Sequence, residues 1–375
     1  MKSYGTIFYG DILMVLMLSN SDVDQVLTMK DTIAALDVLY CELGRGESVT
    51  FPRQDLHVPL ANEQDDLAAH YLKTMGGASP AFKVAALRFS SDVCTWPLFG
   101  NLRRRVKLPV KNGKWLGLIL LFSSITGELL AIIQDGYLSR MRVGGTNGLA
   151  ARHLARKDAA RVGIFGSGWQ AVTQLTALAE VRDLRHIKAF SPTRENREKF
   201  AKDMETLLKI PVQPVDSPDD AARNVDIIVT ATNSRQPFFP ARLLSKGVHL
   251  SCLQRSEIEL EAYRRCDVLF INLNSPESNY TSTLFSKREK ELDMKVRDHP
   301  WTYDKFDWSV YPTLGQLVNG KVPGRTGDDQ ITAFVNNIGV AAQFAAVGAK
   351  VYELAREKGL GLELDSDMFL EEVHP

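Results

Sequence analysis

Apolar and polar positions change their spacing several times along this chain, and each change predicts an element. Positions 12–18 form an apolar run, too short to span a membrane and preceded by Asp11 rather than a basic stretch. It reads as a buried strand, not a signal peptide. Ser21-Asp-Val-Asp24 has the form of a capping box, and Val26, Met29, Ile33, Leu36, Val38 and Leu39 follow at helical spacing until Gly44. That pattern predicts a helix over 22–43. Over 113–136 the texture is different: GLILLF and ELLAIIQ flank Ser123-Ser-Ile-Thr-Gly127, a hairpin signal. A long helix over 137–157 comes next.

From 157 onward strands and helices alternate. Apolar stretches at 161–166, 186–191, 225–232, 247–253 and 266–272 read as five strands, with amphipathic helices such as QAVTQLTALAEV and ENREKFAKDMETLLK between them. This order predicts an α/β fold with a doubly wound parallel sheet of the Rossmann type, beginning near Arg161. Residues 273–323 are polar, aromatic and irregular. A last helix, rich in Ala and Gly, is predicted over 329–358, and its small residues suit close packing, including across a subunit interface.

With 375 residues the chain exceeds one ordinary core, so two domains are expected. Lys plus Arg and Asp plus Glu are 45 each, which leaves no electrostatic footprint for nucleic acid or an anionic membrane and points to a small partner. Cys41, Cys94, Cys252 and Cys266 form no CxxC, as expected of free thiols in a reducing, cytoplasmic setting. The seven histidines are scattered and suggest no metal site; His249 falls in a buried strand, as a core histidine would.

The chemistry concentrates at Gly163-Ile-Phe-Gly166-Ser167-Gly168-Trp169-Gln170-Ala171, a G-x-G-x-x-A placed between a strand and a helix. Gly166 permits the tight turn, Gly168 lets a pyrophosphate approach the backbone, and Ala171 keeps the helix near the strand. The helix start adds amide donors and the positive end of its dipole. Where the second strand would end in an acid to hold a ribose 2′-hydroxyl, this chain has Ser191-Pro-Thr193-Arg194. Hydroxyls and a guanidinium there favour NADP(H) over NAD(H), although Thr193 and Arg194 also suit a plain helix start. Thr230, Ala231 and Thr232, ending the third strand, complete the expected cofactor contacts.

The hairpin phrase Thr126-Gly-Glu128, followed by Arg142-Val-Gly-Gly-Thr146 and a trailing Leu154-Ala-Arg156, resembles the R-T-A-A-x-S segment of the ornithine cyclodeaminase and mu-crystallin family. Gly324-Arg325-Thr326 with Thr332-Ala-Phe334 and Gly339 resembles a second stretch of that family. The resemblance implies a homodimer whose substrate-binding and dimerisation domain comprises 1–140 and 320–375, with the Rossmann domain of 141–319 inserted. It also assigns Thr146 to the cofactor, and Arg53, Lys83 and Arg142 to a substrate carboxylate. Three cations on one carboxylate would orient its Cα toward a nicotinamide. Lys83 is then the candidate proton donor.

One departure matters. Where the cyclodeaminases have a G-x-D-x-P-G-K-x-E-L turn, this chain reads Gly247-Val-His-Leu-Ser-Cys-Leu-Gln-Arg-Ser-Glu257, so the acid/base aspartate has no counterpart and Glu257 matches the later glutamate. The polar segment over 276–311, with Trp301, Tyr303, Phe306 and Trp308, either covers a bulky substrate or packs on its own aromatics. The resemblance therefore favours an imine or ketimine reductase or amino-acid dehydrogenase, ahead of a cyclodeaminase-like lyase or a mu-crystallin-like NADPH binder without catalysis.

Overall fold

A computed structural model describes residues 14–60, 68–99, 102–103, 106–234, 237–274, 279–281 and 306–373. Two sheets organise them. The first has ten strands, with Asn279–Thr281, Gln54–Pro59, Ala69–Ser79, Val84–Thr95, Leu116–Ser123, Leu129–Gln134, Met14–Leu18 and Leu362–Asp365 side by side. Its inner face is covered by helices, and Leu36, Ile119, Leu121, Ile133, Phe344 and Val347 share one core there.

The helix predicted over 22–43 is two helices. Ser19, not Ser21, caps α1 (Asn20–Val26), and its backbone N–H donates in return to Asp22 Oδ2 at 2.8 Å. Thr28 then caps α2 (Met29–Arg45), accepting from the Asp31 amide at 3.1 Å. A second cap with its own acid three residues on restarts the helix, and apolar spacing alone does not reveal such a restart.

Helix α3 (Asp135–Leu154) joins the two sheets. It lies against α2 on one side and against α4 (Trp169–Val181) on the other, where a Cβ at Gly144 would sit 2.5 Å from the Thr173 carbonyl and one at Gly148 would sit 2.8 Å from Ala177 Cβ. Only glycine allows the two backbones this close.

The second sheet is wholly parallel and has seven strands, in the order Val212–Pro214, His186–Phe190, Arg161–Phe165, Ile227–Thr230, His249–Cys252, Thr332–Val335, Val268–Ile271. Two of these strands were not expected. Thr332–Val335 falls inside the helix predicted over 329–358; the helix itself spans Ala342–Lys358. The return to the first domain therefore comes after Val335 and not at 320, while Asn279–Thr281, expected in the Rossmann unit, extends the first sheet. All four cysteines are free thiols. Among the described residues no helix is long and apolar enough to cross a membrane.

Arg325 locks this insertion. Its guanidinium donates to the carbonyls of Leu154 (2.8 Å), Gln330 (2.5 Å) and Val248 (3.2 Å) and to the Thr332 hydroxyl (3.0 Å), tying the end of α3 to two strands. His249 is fully buried, with Nδ1 3.0 Å from the same hydroxyl. Burial, reinforced by the charge of Arg325, depresses its pKa to about 3. An unfolded histidine takes up its proton near pH 6.5, whereas this one stays neutral in the folded chain far below that, so stability falls as pH drops through that window. His249→Asn should flatten the fall in urea midpoint between pH 7 and pH 5 relative to the unaltered protein. Parallel pH profiles would refute this source of acid sensitivity.

Candidate active site

The glycine loop, Ser191 and Thr230–Thr232 lie at the C-terminal ends of three neighbouring parallel strands, where the order of the sheet reverses. The Gly166 amide donates to the Phe190 carbonyl at 2.9 Å, and the Ala231 amide donates to the Phe165 carbonyl at 2.8 Å, so the ends of the three strands are joined. Gly166 has φ +117°, and a Cβ there would fall 2.3 Å from the Ala231 carbonyl, so only glycine fits. Gly168, the N-cap of α4, has open space beside it, and no side chain caps the helix. The first amides of α4 are left for an anion, as a dinucleotide pyrophosphate requires.

Other predicted contacts sit differently. Ser191 is buried beside the cradle, Thr193 is exposed, and exposed Arg194 pairs with Glu198 at 2.7 Å. Thr230 is fully buried, and its hydroxyl donates to Glu257 at 2.9 Å. The Glu257 carboxylate also accepts from the Thr232 amide at 2.6 Å, the Thr232 hydroxyl at 2.5 Å and the Gln254 amide at 3.3 Å. Burial raises the pKa of Glu257, opposed by these hydrogen bonds. It braces the loop after the third strand and ends a short 3-10 turn, Arg255–Glu257, whose N-cap is Gln254.

Arg142 faces the same end of the sheet. A Cβ on Gly339, just beyond the strand Thr332–Val335, would lie 3.4 Å from its Nη1. Arg142 donates to Gln343 Oε1 at 2.8 Å and stacks on Phe344, its Cζ 4.9 Å from the ring centroid. Its Nε is buried without a hydrogen-bond partner. Burial and then the like charge of Arg88 lower its pKa to about 10, so it stays cationic at neutral pH. No carboxylate forms an ion pair with it among the described residues.

Behind Arg142 runs a buried polar chain. Gln343 Nε2 donates to the Tyr40 and Thr146 hydroxyls, both at 2.7 Å, and the Tyr40 hydroxyl donates to Asn272. Asn272 donates to Asn336, Asn336 to Asn147, and Asn147 to Ser251 Oγ, each at 2.8 Å. Thr146, expected to touch the cofactor, is instead fully buried in this chain, and its hydroxyl donates to the Arg142 carbonyl.

Lys83 does not join the group. It occupies an exposed turn between Ala69–Ser79 and Val84–Thr95, with φ +55°, five residues along the strand from Arg88. The cation beside Arg142 is Arg88, whose guanidinium is held by Asp135 (Nε to Oδ2 2.6 Å). Arg88 lies directly across from Met75, whose Cε would be 3.3 Å from that same Cβ on Gly339. Arg53 precedes the neighbouring strand on this face, fixed by Asp55, with Nε to Oδ1 at 2.9 Å. Arg53, Arg88 and Arg142 thus line one face, two of them held by an aspartate and one not. Arg88 was legible as a charge at an inward position of an otherwise apolar strand start.

Trp301 and Tyr303 lie outside the described residues. Phe306, Trp308 and Tyr311 pack on one another and on Tyr263 against the parallel sheet, so this part of the insertion packs on its own aromatics.

Residues 113–359 match the family model described as ornithine cyclodeaminase/mu-crystallin family. A Delta(1)-pyrroline-2-carboxylate reductase of Bacillus cereus is 29% identical over 252 residues, 66% of this chain and 74% of the relative. An alanine dehydrogenase of Archaeoglobus fulgidus is 29% identical over 255 residues, 66% and 73% of the two chains. Among solved structures, Thermococcus litoralis Delta(1)-pyrroline-2-carboxylate reductase in complex with NADH and L-proline aligns with a TM-score of 0.72 at 25% identity, covering 93% of this chain and 100% of that one. Fold, cradle and relatives define an oxidoreductase that works with a nicotinamide dinucleotide. The chain belongs to the ornithine cyclodeaminase/mu-crystallin family.

Removing the Glu257 carboxylate would leave the Thr232 amide and two hydroxyls without their acceptor, at about 1 to 3 kcal/mol for each buried group. Glu257→Ala should lower the urea-unfolding free energy by about 3 kcal/mol and weaken dinucleotide binding several-fold. Unchanged affinity in a folded variant would show that the brace does not shape the cradle.

Proposed function

We propose that this protein reduces the C=N bond of a small imino acid, or runs the reverse oxidation of an amino acid, with the substrate carboxylate on Arg142. The supporting observation is Arg142 itself, a half-buried guanidinium with an unpartnered Nε beside the ends of the parallel strands. An uncompensated cation in such a place suits a carboxylate ligand, and Arg88 adds a second, aspartate-held guanidinium. Bound in the cradle, the reduced dinucleotide supplies a hydride to the carbon of the C=N bond. An iminium substrate already carries the nitrogen proton, so the step needs no general acid, in keeping with the missing aspartate of the cyclodeaminases. Lys83, in the exposed turn before Val84–Thr95, has no part in this reading. Cyclodeamination needs proton transfers to a departing amine, and the aspartate that would serve them has no counterpart in Gly247–Glu257.

The cofactor is proposed to be NADP(H) in preference to NAD(H), because the second strand ends without an acid and Arg194 lies exposed in the first turn of the following helix, α5 (Arg194–Leu208). A cyclic or amine-derived imino acid screen followed by NADPH absorbance should show turnover, with lower kcat/KM on NADH. Arg142→Ala should cut kcat/KM by about 100-fold, the worth of a charge-assisted pair, and Lys83→Ala should leave it unchanged. Arg194→Ala should narrow the cofactor preference. Proline formation from ornithine at ordinary enzymatic rates would overturn the reading in favour of a cyclodeaminase.

The outer face of the first sheet supports a homodimer. Leu56, Val58 and Leu116 are exposed there, continuous with partly exposed Leu72, Phe89 and Leu118, an apolar patch on the side away from the helices. Light scattering should give the mass of two chains, and Leu72→Asp with Phe89→Asp should give one. A monomeric unaltered protein would contradict the assignment.

A further inference from the structure

The ridge along which α3 meets α4 continues past the dinucleotide loop. Gly144 meets Thr173 and Gly148 meets Ala177, four residues further on in both helices, so the two helices run parallel along it. One turn earlier the same ridge carries Arg140 on α3 and Trp169 on α4. There the helices are bridged by a stack: the Arg140 Cζ lies 4.4 Å from the Trp169 ring centroid and 4.3 Å from that of Tyr137.

Trp169 is the first residue of α4, and its side chain is 72% exposed. Helical side chains lean toward the N-terminus, so Arg140 carries its guanidinium to the level of the first α4 amides. Its Cζ lies within 4.4 Å of both ring centroids, and the N–H donors of a planar guanidinium held against aromatic rings remain available for an anion. Among the described residues it has neither hydrogen bond nor ion pair.

We propose that Arg140 is a phosphate-binding residue that completes, from α3, the cradle begun by the amides of α4. The inference rests on dinucleotide binding at Gly166–Gly168 and adds to it a cation on a neighbouring helix. A planar fork matches two oxygens of a pyrophosphate, and the two ring contacts restrict the fork before the ligand arrives, which reduces the ordering cost of binding. Trp169 and Tyr137 act through Arg140 and are positioning residues.

The test measures dissociation constants for NADH, NADPH and ADP-ribose by calorimetry, with no need of a known substrate. Arg140→Ala should weaken all three by about tenfold, the effect of losing one charge-assisted contact, and should make binding less sensitive to salt. Arg140→Lys should recover part of the loss. Trp169→Leu should weaken binding in the unaltered background and add nothing once Arg140 is gone. Arg140→Gln, nearly isosteric and neutral, gives the same reading should the alanine variant fold poorly. Unchanged affinity in Arg140→Ala or Arg140→Gln overturns the proposal, as does an additive loss from Trp169→Leu. An unaltered protein that binds none of the three ligands overturns the cradle itself, a result distinct from an unchanged variant.

Discussion

Arg142, Gln343, Tyr40, Asn272, Asn336, Asn147 and Ser251 form one buried line of hydrogen-bonding side chains, and that line passes from the helices covering the first sheet into the core of the second. Each member satisfies its neighbour, and a buried donor or acceptor left alone costs about 1 to 3 kcal/mol. The two sheets cannot shift relative to one another without breaking several of these bonds together. The guanidinium at one end therefore keeps a fixed position relative to the strand ends where the dinucleotide loop lies. A site divided between two domains needs such a constraint, because hydride transfer tolerates little error in position.

The cations along this face differ in what they are free to do. Asp55 holds Arg53 and Asp135 holds Arg88, so these two are oriented before any ligand arrives. Gly117 makes room for Asp135, since a Cβ there would sit 2.4 Å from its Oδ1. Arg142 has an amide oxygen and an aromatic face instead of a carboxylate, which leaves its charge for a ligand. Three identical side chains thus divide into two whose charge an aspartate meets and one whose charge no carboxylate meets.

Much of the parallel domain was legible in the sequence, because Gly166, Gly168 and Ala171 stand between a strand and a helix and five apolar runs are separated by amphipathic helices or loops. The strand Thr332–Val335 was not. Four apolar and hydroxyl residues next to an Ala-rich helix carry too short a pattern to separate from the helix. The family resemblance points to Lys83, yet the period-2 pattern of Val84, Ala86, Arg88, Ser90 and Asp92 places Arg88 on the inner face. The missed buried roles of Thr146 and Thr230 have a common cause. A hydroxyl reads the same in sequence whether its partner is a ligand or another side chain.

The position of Thr332–Val335 has a consequence for the order of assembly. It lies between His249–Cys252 and Val268–Ile271, strands that leave the ribosome more than 60 residues earlier. Until it arrives, the nascent domain holds a slot between two strands with unpaired backbone groups on either side. Such edges invite pairing with other chains, and closing the slot requires contact between segments distant in sequence, which is slow. The parallel sheet is in this sense a vault whose keystone is made last, and a chain stopped short of Val335 would be the species most in need of a chaperone.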